Sequence, residues 1–282
     1  IKGDMEILGS GNVNKAYKGV YKMSDGSSFA GVFKAEKKEF PIGKYPYSAY
    51  FSGIPNAIAG GRNIASYALN DLLGFNVITR VEFGMNKEEK LGIVMEMAQG
   101  KSGKKTEKEL FNDPVVRREL TKLQWLDSLT GQVDRHSENY FIETDADGHG
   151  KRVIGIDNDL SFGHKIKDPN HISIKHNGNF RGREMPPVID TEMVEAFMKL
   201  TPEKLETSLS GLLDDKEIDA AKKRLTGIQK HIDDLSKAGC VISQDQWGSE
   251  KVEELLSDKT KSYVARDQEY AKPKATVDIQ QS

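Results

Sequence analysis

One cysteine in 282 residues, Cys240, excludes an internal disulfide and with it a small cross-linked secreted scaffold. It reads as a packing residue rather than a nucleophile. Long hydrophobic runs are also missing. The longest stretch free of charged side chains, Tyr45 to Gly61, is interrupted by prolines, glycines and an asparagine, so no transmembrane segment is expected. A dominant charge is absent as well: 41 Lys and Arg against 43 Asp and Glu leave −2. That balance argues against a wholesale nucleic-acid binder and leaves room only for a local basic patch. No cleavable signal peptide opens the chain, and Ile1 at its head points to a longer, trimmed protein.

What remains is a polar but foldable chain, 37% hydrophobic and 30% charged, long enough for about two domains. Its first hundred residues read as strands with one helix. Met5–Leu8, Lys15–Met23 and Ser28–Ala35 are strands, the last two joined by a turn at Ser24-Asp25-Gly26-Ser27. Glu36–Gly61 is irregular and rich in aromatics. Arg62–Leu73 has the helical period, and Val77–Phe83 with Leu91–Met97 reads as a further antiparallel pair. After Gly100 helices dominate. Asp113-Pro114 caps and starts one that runs to about Thr130. A hairpin of Tyr140–Glu143 and Arg152–Ile156 follows, then helices over Thr191–Leu200, Pro202–Leu212 and Lys216–Leu235. A polar tail from Ser243 is expected to be helical to about Tyr270. These patterns divide the chain into 1–98, 99–240 and 241–282.

Chemistry concentrates in a few places. Gly9-Ser10-Gly11 lies between two strands, where backbone N–H groups can cradle phosphate, although an ordinary hairpin has the same composition. Lys34 leaves the next strand after Phe29, Gly31 and Phe33, placed either to reach under that loop or to be solvated. The strongest signal is Asp134-Arg135-His136-Ser137-Glu138-Asn139, followed across the hairpin by Ile156-Asp157-Asn158-Asp159. Phosphoryl transfer needs a carboxylate facing the acceptor hydroxyl and hard oxygen ligands for Mg²⁺. Asp134 fits the first task, and Asn139 with Asp157 fits the second. Each alone also reads as a cap or turn residue. Asp159 is open between a second metal contact and a turn, and His136 between proton transfer and a structural hydrogen bond. Arg135 is expected to pair with an acidic neighbour.

Asp134–Asn139 with Ile156-Asp157 resembles the Asp-Arg-His-x-x-Asn loop and Ile-Asp metal segment of the protein-kinase-like superfamily. The likeness is to the atypical branch of phosphatidylinositol 3/4-kinases and compact bacterial kinases. Leu129–Val133 and Leu160–Gly163 share it, and Gly92–Ala98 resembles the strand and hinge that hold adenine. The likeness spans roughly residues 5–235 and is weakest at the glycine loop. It implies an α+β, bilobal protein-kinase-like fold with a β-rich N-lobe and a mainly helical C-lobe. It also implies ATP and Mg²⁺, with Asp134 and His136 in the catalytic loop and Asn139 and Asp157 on the metal. Gly9, Ser10, Gly11, Lys34, Glu96 and Ala98 would contact the nucleotide. One departure stands out. The helix expected to offer Lys34 a glutamate has Asn63 near that place, so Glu36 or Glu82 takes the role or the register shifts.

The segment 164–184 carries Lys165, Lys167, Lys175, Arg181 and Arg183 against Asp168 and Glu184. A basic surface there suits an anionic ligand, an activating partner, an acidic protein or an inositol phosphate headgroup, and a mobile solvated loop has the same composition. The favoured reading is a soluble protein kinase of bacterial effector or virulence type, acting in a bacterial cytoplasm or, as an effector, in a host cell. A phosphoinositide kinase is the alternative substrate reading. A nucleotide-dependent binding module without turnover is the non-enzymatic one.

Overall fold

In the computed structural model, residues 6–10, 15–22, 26–36, 59–86, 89–170 and 184–271 are described. The chain is mixed α+β, sheet-rich in its N-terminal region and helical in its C-terminal part. Three antiparallel strands come first: β1 (Glu6–Ser10), β2 (Lys15–Lys22) and β3 (Ser28–Ala35). Helix α1 (Ala59–Leu72) separates them from β4 (Val81–Met85) and β5 (Leu91–Glu96). Strand β5 inserts between β3 and β4, giving the order β1-β2-β3-β5-β4. Alternation along β3 sorts its side chains. Phe29 and Phe33 join Tyr17, Tyr21 and Val94 on one face, while Val32 on the other packs with Val81, Ile93, Met95 and Ile64 of α1. Lys34 shares the face of Val32.

The expected strand Val77–Phe83 is divided. The Asn70 side chain on α1 accepts from the backbone N–H groups of Val77 and Ile78 (2.8 and 3.2 Å). Ile78 then bridges Gly155 in parallel, and only Val81 onward joins the sheet. A side chain from a neighbouring helix has overridden the local β pattern.

The helical part begins with β6 (Lys101–Ser102) and α2 (Pro114–Thr130). Asp113 caps α2 by accepting from Val115 and Val116, Pro114 occupies the first position, and Gly131 ends it at φ 66°. Strands β7 (Tyr140–Thr144) and β8 (Gly150–Gly155) form the second hairpin, paired with β6. There follow β9 (Ile189–Asp190), α3 (Thr191–Lys199), α4 (Pro202–Leu209), α5 (Asp215–Lys237), β10 (Val241–Ile242), α6 (Glu250–Leu255) and α7 (Tyr263–Tyr270). Leu120, Leu123, Leu126 and Leu129 of α2 are fully buried with Phe197, Leu205, Leu225 and Ile228. The polar tail is not one helix: a 3₁₀ turn, α6 and α7 pack onto the core through Trp247 and Tyr263. No helix among the described residues is long and apolar enough to cross a membrane.

One buried ion pair ties α1 to the helical part. Arg62 donates through Nε and Nη2 to Glu217 Oε1 at 2.9 and 2.7 Å. The other Glu217 oxygen accepts from Asp214 N–H (3.1 Å), closing the capping box of α5. Both side chains are almost wholly buried. Removing only the carboxylate of such a pair costs about 3–5 kcal/mol. Glu217→Ala should lower urea stability by that amount, whereas the apolar pair Arg62→Met/Glu217→Leu should lose much less. A single variant within about 1 kcal/mol of wild type would contradict the tie.

Candidate active site

Three backbone segments meet below the sheet. The first leaves α2 at Gly131 and carries Gln132. The second is the 134–139 turn itself, closed by His136 N–H on Asp134 O (2.9 Å) and Asn139 N–H on His136 O (2.8 Å). The third follows β8, where Asp157 adopts φ 58°. Aspartate tolerates the left-handed region better than most residues, but at some cost in strain, which is typical of side chains held in a functional orientation.

Arg135 fastens these segments together. It is fully buried, and each of its five N–H donors has an acceptor. Nε and Nη2 fork onto Asp127 of α2 (2.9 and 3.0 Å), Nη1 reaches Asn139 O and Ile156 O (2.6 Å each), and Nη2 also reaches Asn158 Oδ1 (2.5 Å). The expected acidic partner is Asp127. A Cβ on Gly155 would sit 2.8 Å from a Leu123 methyl and 3.2 Å from the Arg135 guanidinium, so glycine lets the hairpin approach both without displacing them.

Gln132 supplies a second fastening. Its Oε1 accepts from Asp134 N–H (2.9 Å) and its Nε2 donates to Asp157 O (3.1 Å), so one buried amide spaces the two aspartates. Asn139 donates from Nδ2 to Asp134 O (2.8 Å), and its Oδ1 has no donor among the described residues.

Lys34 Nζ lies 2.5 Å from Asp157 Oδ1, joining positions 123 residues apart. The Lys34 side chain is 13% exposed and that of Asp157 35%, so the carboxylate stays open to a ligand. Burial opposes the Lys34 charge, but Asp157 and Asp159 more than offset it and raise the ammonium pKa. Asp157 is likewise held below its ordinary value, against the effect of burial, by the Lys34 charge. Asp134 moves the other way: burial, with the nearby Asp157 charge, pushes it up to about 7. Asp159 is raised too, by burial and by Asp157. Burial lowers the His136 pKa. Its Nδ1 accepts Glu138 N–H (3.2 Å), which gives one ring nitrogen a structural role.

Neither proposed substitute glutamate is the partner seen for Lys34. Glu82 pairs with Arg80 on the surface, and Glu36 turns its carboxylate to the Gly60 N–H at the start of α1 (3.1 Å). The lysine partner is Asp157. Asn63 reaches the same segment differently, its Oδ1 accepting from Asn158 N–H (2.8 Å).

The nucleotide-contact candidates are distributed unevenly. Gly9 and Ser10 lie in β1, opposite Ala16 and Lys15, beyond a register shift after Ile7. Gly11 lies outside the described residues, as do Lys175, Arg181 and Arg183 of the basic segment and most of 36–61. Glu96 has its backbone engaged at both ends, donating to Arg80 O (2.9 Å) and accepting from Thr79 Oγ1 (2.7 Å). Ala98 has no backbone partner among the described residues. In the basic segment, Lys165 and Lys167 are exposed on either side of buried Ile166. Two cavities of about 720 and 470 Å³ lie elsewhere, around Leu110 and Ile142 and around Arg117 and Val264. The crevice at Lys34 and Asp159 is narrow.

Hard oxygen donors suit Mg²⁺. Asp157 Oδ and the unengaged Oδ1 of Asn139 provide them, and the raised Asp134 and Asp159 mark a surplus of negative charge that a cation would relieve. Among the described residues no three His, Cys, Asp or Glu side chains are grouped to hold a metal ion. An Asp–Asn pair, completed by phosphate oxygens and water, falls below that count. The chain matches no protein-family model and no curated protein.

Sequence reading placed Asn63 only as a departure and Gln132 only within the likeness; it missed their bridging roles and Asp127 altogether, because Asp157, Asn158 and Arg135 meet them only in the fold. The crowded carboxylates give a prediction. Asp134 has its pKa raised above the ordinary 3.8, so the native state loses stability as pH climbs from about 4 to about 7. Asp134→Asn should therefore melt several degrees higher than wild type at pH 8 in EDTA, with the gap closing by pH 4. An equal melting temperature at pH 8 would contradict the crowding.

Proposed function

We propose that the chain is an ATP- and Mg²⁺-dependent phosphotransferase with a bilobal, kinase-like arrangement. The five-stranded sheet with α1 forms its N-lobe and the helical part its C-lobe. More particularly, we read it as a protein kinase related to the atypical phosphatidylinositol 3/4-kinase branch, the protein acceptor resting on the likeness to compact bacterial members. The observation that carries the reading is the meeting of Lys34 with Asp157, beside Asp134 and Asn139. A strand lysine, the aspartate and asparagine of one turn, and an aspartate after β8 come together from three distant places in the sequence.

Asn139 and Asp157 would hold the metal, which when bound supplies charge neutralisation and alignment of the phosphates. Lys34 is a point charge that can exchange Asp157 for phosphate oxygens. Asp134, titrating near 7, is suited to orient an acceptor hydroxyl and take its proton near neutral pH. The acceptor oxygen forms a bond to the γ-phosphorus, the bond to the β–γ bridging oxygen breaks, and ADP leaves with that electron pair. Gln132 and Arg135 touch no reacting atom; they keep the aspartates at a fixed spacing, which is how orientation lowers a barrier.

Transfer of label from γ-labelled ATP with Mg²⁺, run on a eukaryotic lysate and on phosphoinositide vesicles, tests the reading. Label should enter protein and fall by at least about 10²-fold in Asp157→Ala, as for loss of a charge-stabilising group. Lys34→Ala should be severely impaired as well. Label in lipid alone would replace the protein acceptor, and undiminished transfer by Asp157→Ala would overturn the site. Binding of ATP without transfer to any acceptor would favour a binding module.

A further inference from the structure

Helix α7 lies beyond the segments that carry the chemistry, yet two buried routes connect it to them. Tyr263, fully buried, donates from its hydroxyl to Asp127 Oδ2 (3.0 Å). That same oxygen receives Arg135 Nε, so the tyrosine steadies the carboxylate that orients the guanidinium. The second route starts one turn further along the helix. Asp267 Oδ2 accepts the hydroxyl of Tyr140 (2.7 Å), and Tyr140 directly follows Asn139.

The helix is itself anchored to α2 at its start and braced by contacts within it. Gln124 of α2 accepts Tyr263 N–H (2.9 Å) and donates to Lys261 O (2.8 Å). Arg266 forks onto Asp267 (2.8 and 2.7 Å) and lays its guanidinium 4.2 Å from the centre of the Tyr263 ring. Burial and the Asp267 charge raise the Tyr140 pKa well above its ordinary value, so its hydroxyl remains a donor.

We propose that α7 is a positioning element of the candidate site, holding the 134–139 turn in place through Tyr263–Asp127–Arg135 and Asp267–Tyr140. The two routes enter the turn from opposite ends. Asp127 acts on Arg135, which grips Asn139 O and Ile156 O, while Tyr140 anchors the residue after Asn139. Neither tyrosine hydroxyl reaches the crevice, so neither is a catalytic residue. Each hydroxyl also satisfies a buried acceptor that is already partnered by arginine. Its loss should therefore loosen the turn rather than unfold the chain.

The kinetic part of this inference rests on the phosphotransfer reading; the structural part does not. Tyr263→Phe and Tyr140→Phe in the full chain each remove one hydroxyl and keep the ring. Hydrogen exchange at the amides of Asp134, Asn139 and Ile156 should quicken about tenfold, equivalent to about 1.4 kcal/mol of local opening. Exchange within α4 should stay as in wild type. Where transfer is measurable, kcat should fall severalfold with the KM for Mg·ATP unchanged. Unchanged exchange in the turn, or equal acceleration in α4, would overturn the proposal. If one variant does not fold, the other decides. If wild type transfers no phosphoryl group, the functional reading fails while the exchange result still settles this one.

Discussion

A guanidinium taken fully out of water is tolerated only when its charge is paired and its donors are answered, and the acceptors around Arg135 are what bring the site together. One comes from α2, two are carbonyls on either side of the β7–β8 hairpin, and one belongs to Asn158 in the segment after β8. Asp127 supplies the compensating charge. With these partners fixed, the residues flanking them have little freedom: Asp134 precedes the arginine, Asn139 carries one of the carbonyls, and Asp157 sits between the other two acceptors. Asp134 and Asp157 stay partly open while a fully buried guanidinium holds the backbone beside them.

The same logic extends outward. Gln132 repeats it with a neutral amide between Asp134 and Asp157, and Arg224 repeats it behind the site, donating to Leu129 O (2.7 Å), Thr130 O (3.3 Å) and Ile166 O. On the sheet side, Asn63 and the Arg62–Glu217 pair join α1 to the post-β8 segment and to α5. The loops at the centre therefore owe their order to their own buried Arg135 and Gln132 together with partners on α1, α2 and α5. That leaves Asp134 and Asp159 crowded beside Asp157, with Lys34 paired to Asp157 and the Arg135 charge close by, a surplus of negative charge that an added cation would relieve.

What sequence could reveal follows from where each signal resides. Strand alternation, the Asp113-Pro114 cap, the end of α2 near Thr130 and the short Asp134–Asn139 spacing are local, and they were legible. The hairpin also brings Asp157 back towards Asn139, Ile156 N–H bonding Asn139 O (2.9 Å), because the turn lengths demand it. Contacts made across the fold were not legible. Nothing near Lys34 announces Asp157 as its partner, and an acid on α1 or a neighbouring strand was the natural guess. Val77–Thr79 has the composition of a strand, but Asn70 and Gly155 claim its backbone. The tail read as one polar helix because Trp247 and Tyr263 are isolated apolar positions whose burial depends on α2 and β9.

A crystal structure of the chain with Mn²⁺ and a non-hydrolysable ATP analogue tests the central claim most directly, that Lys34, Asp134, Asn139 and Asp157 form one nucleotide–metal site. The account predicts an anomalous manganese peak within coordination distance of both Asn139 Oδ1 and an Asp157 carboxylate oxygen. It also predicts Lys34 turned from Asp157 to the phosphates. Manganese bound away from both side chains, or nucleotide seated in another cavity with the Lys34–Asp157 pair intact, would contradict it.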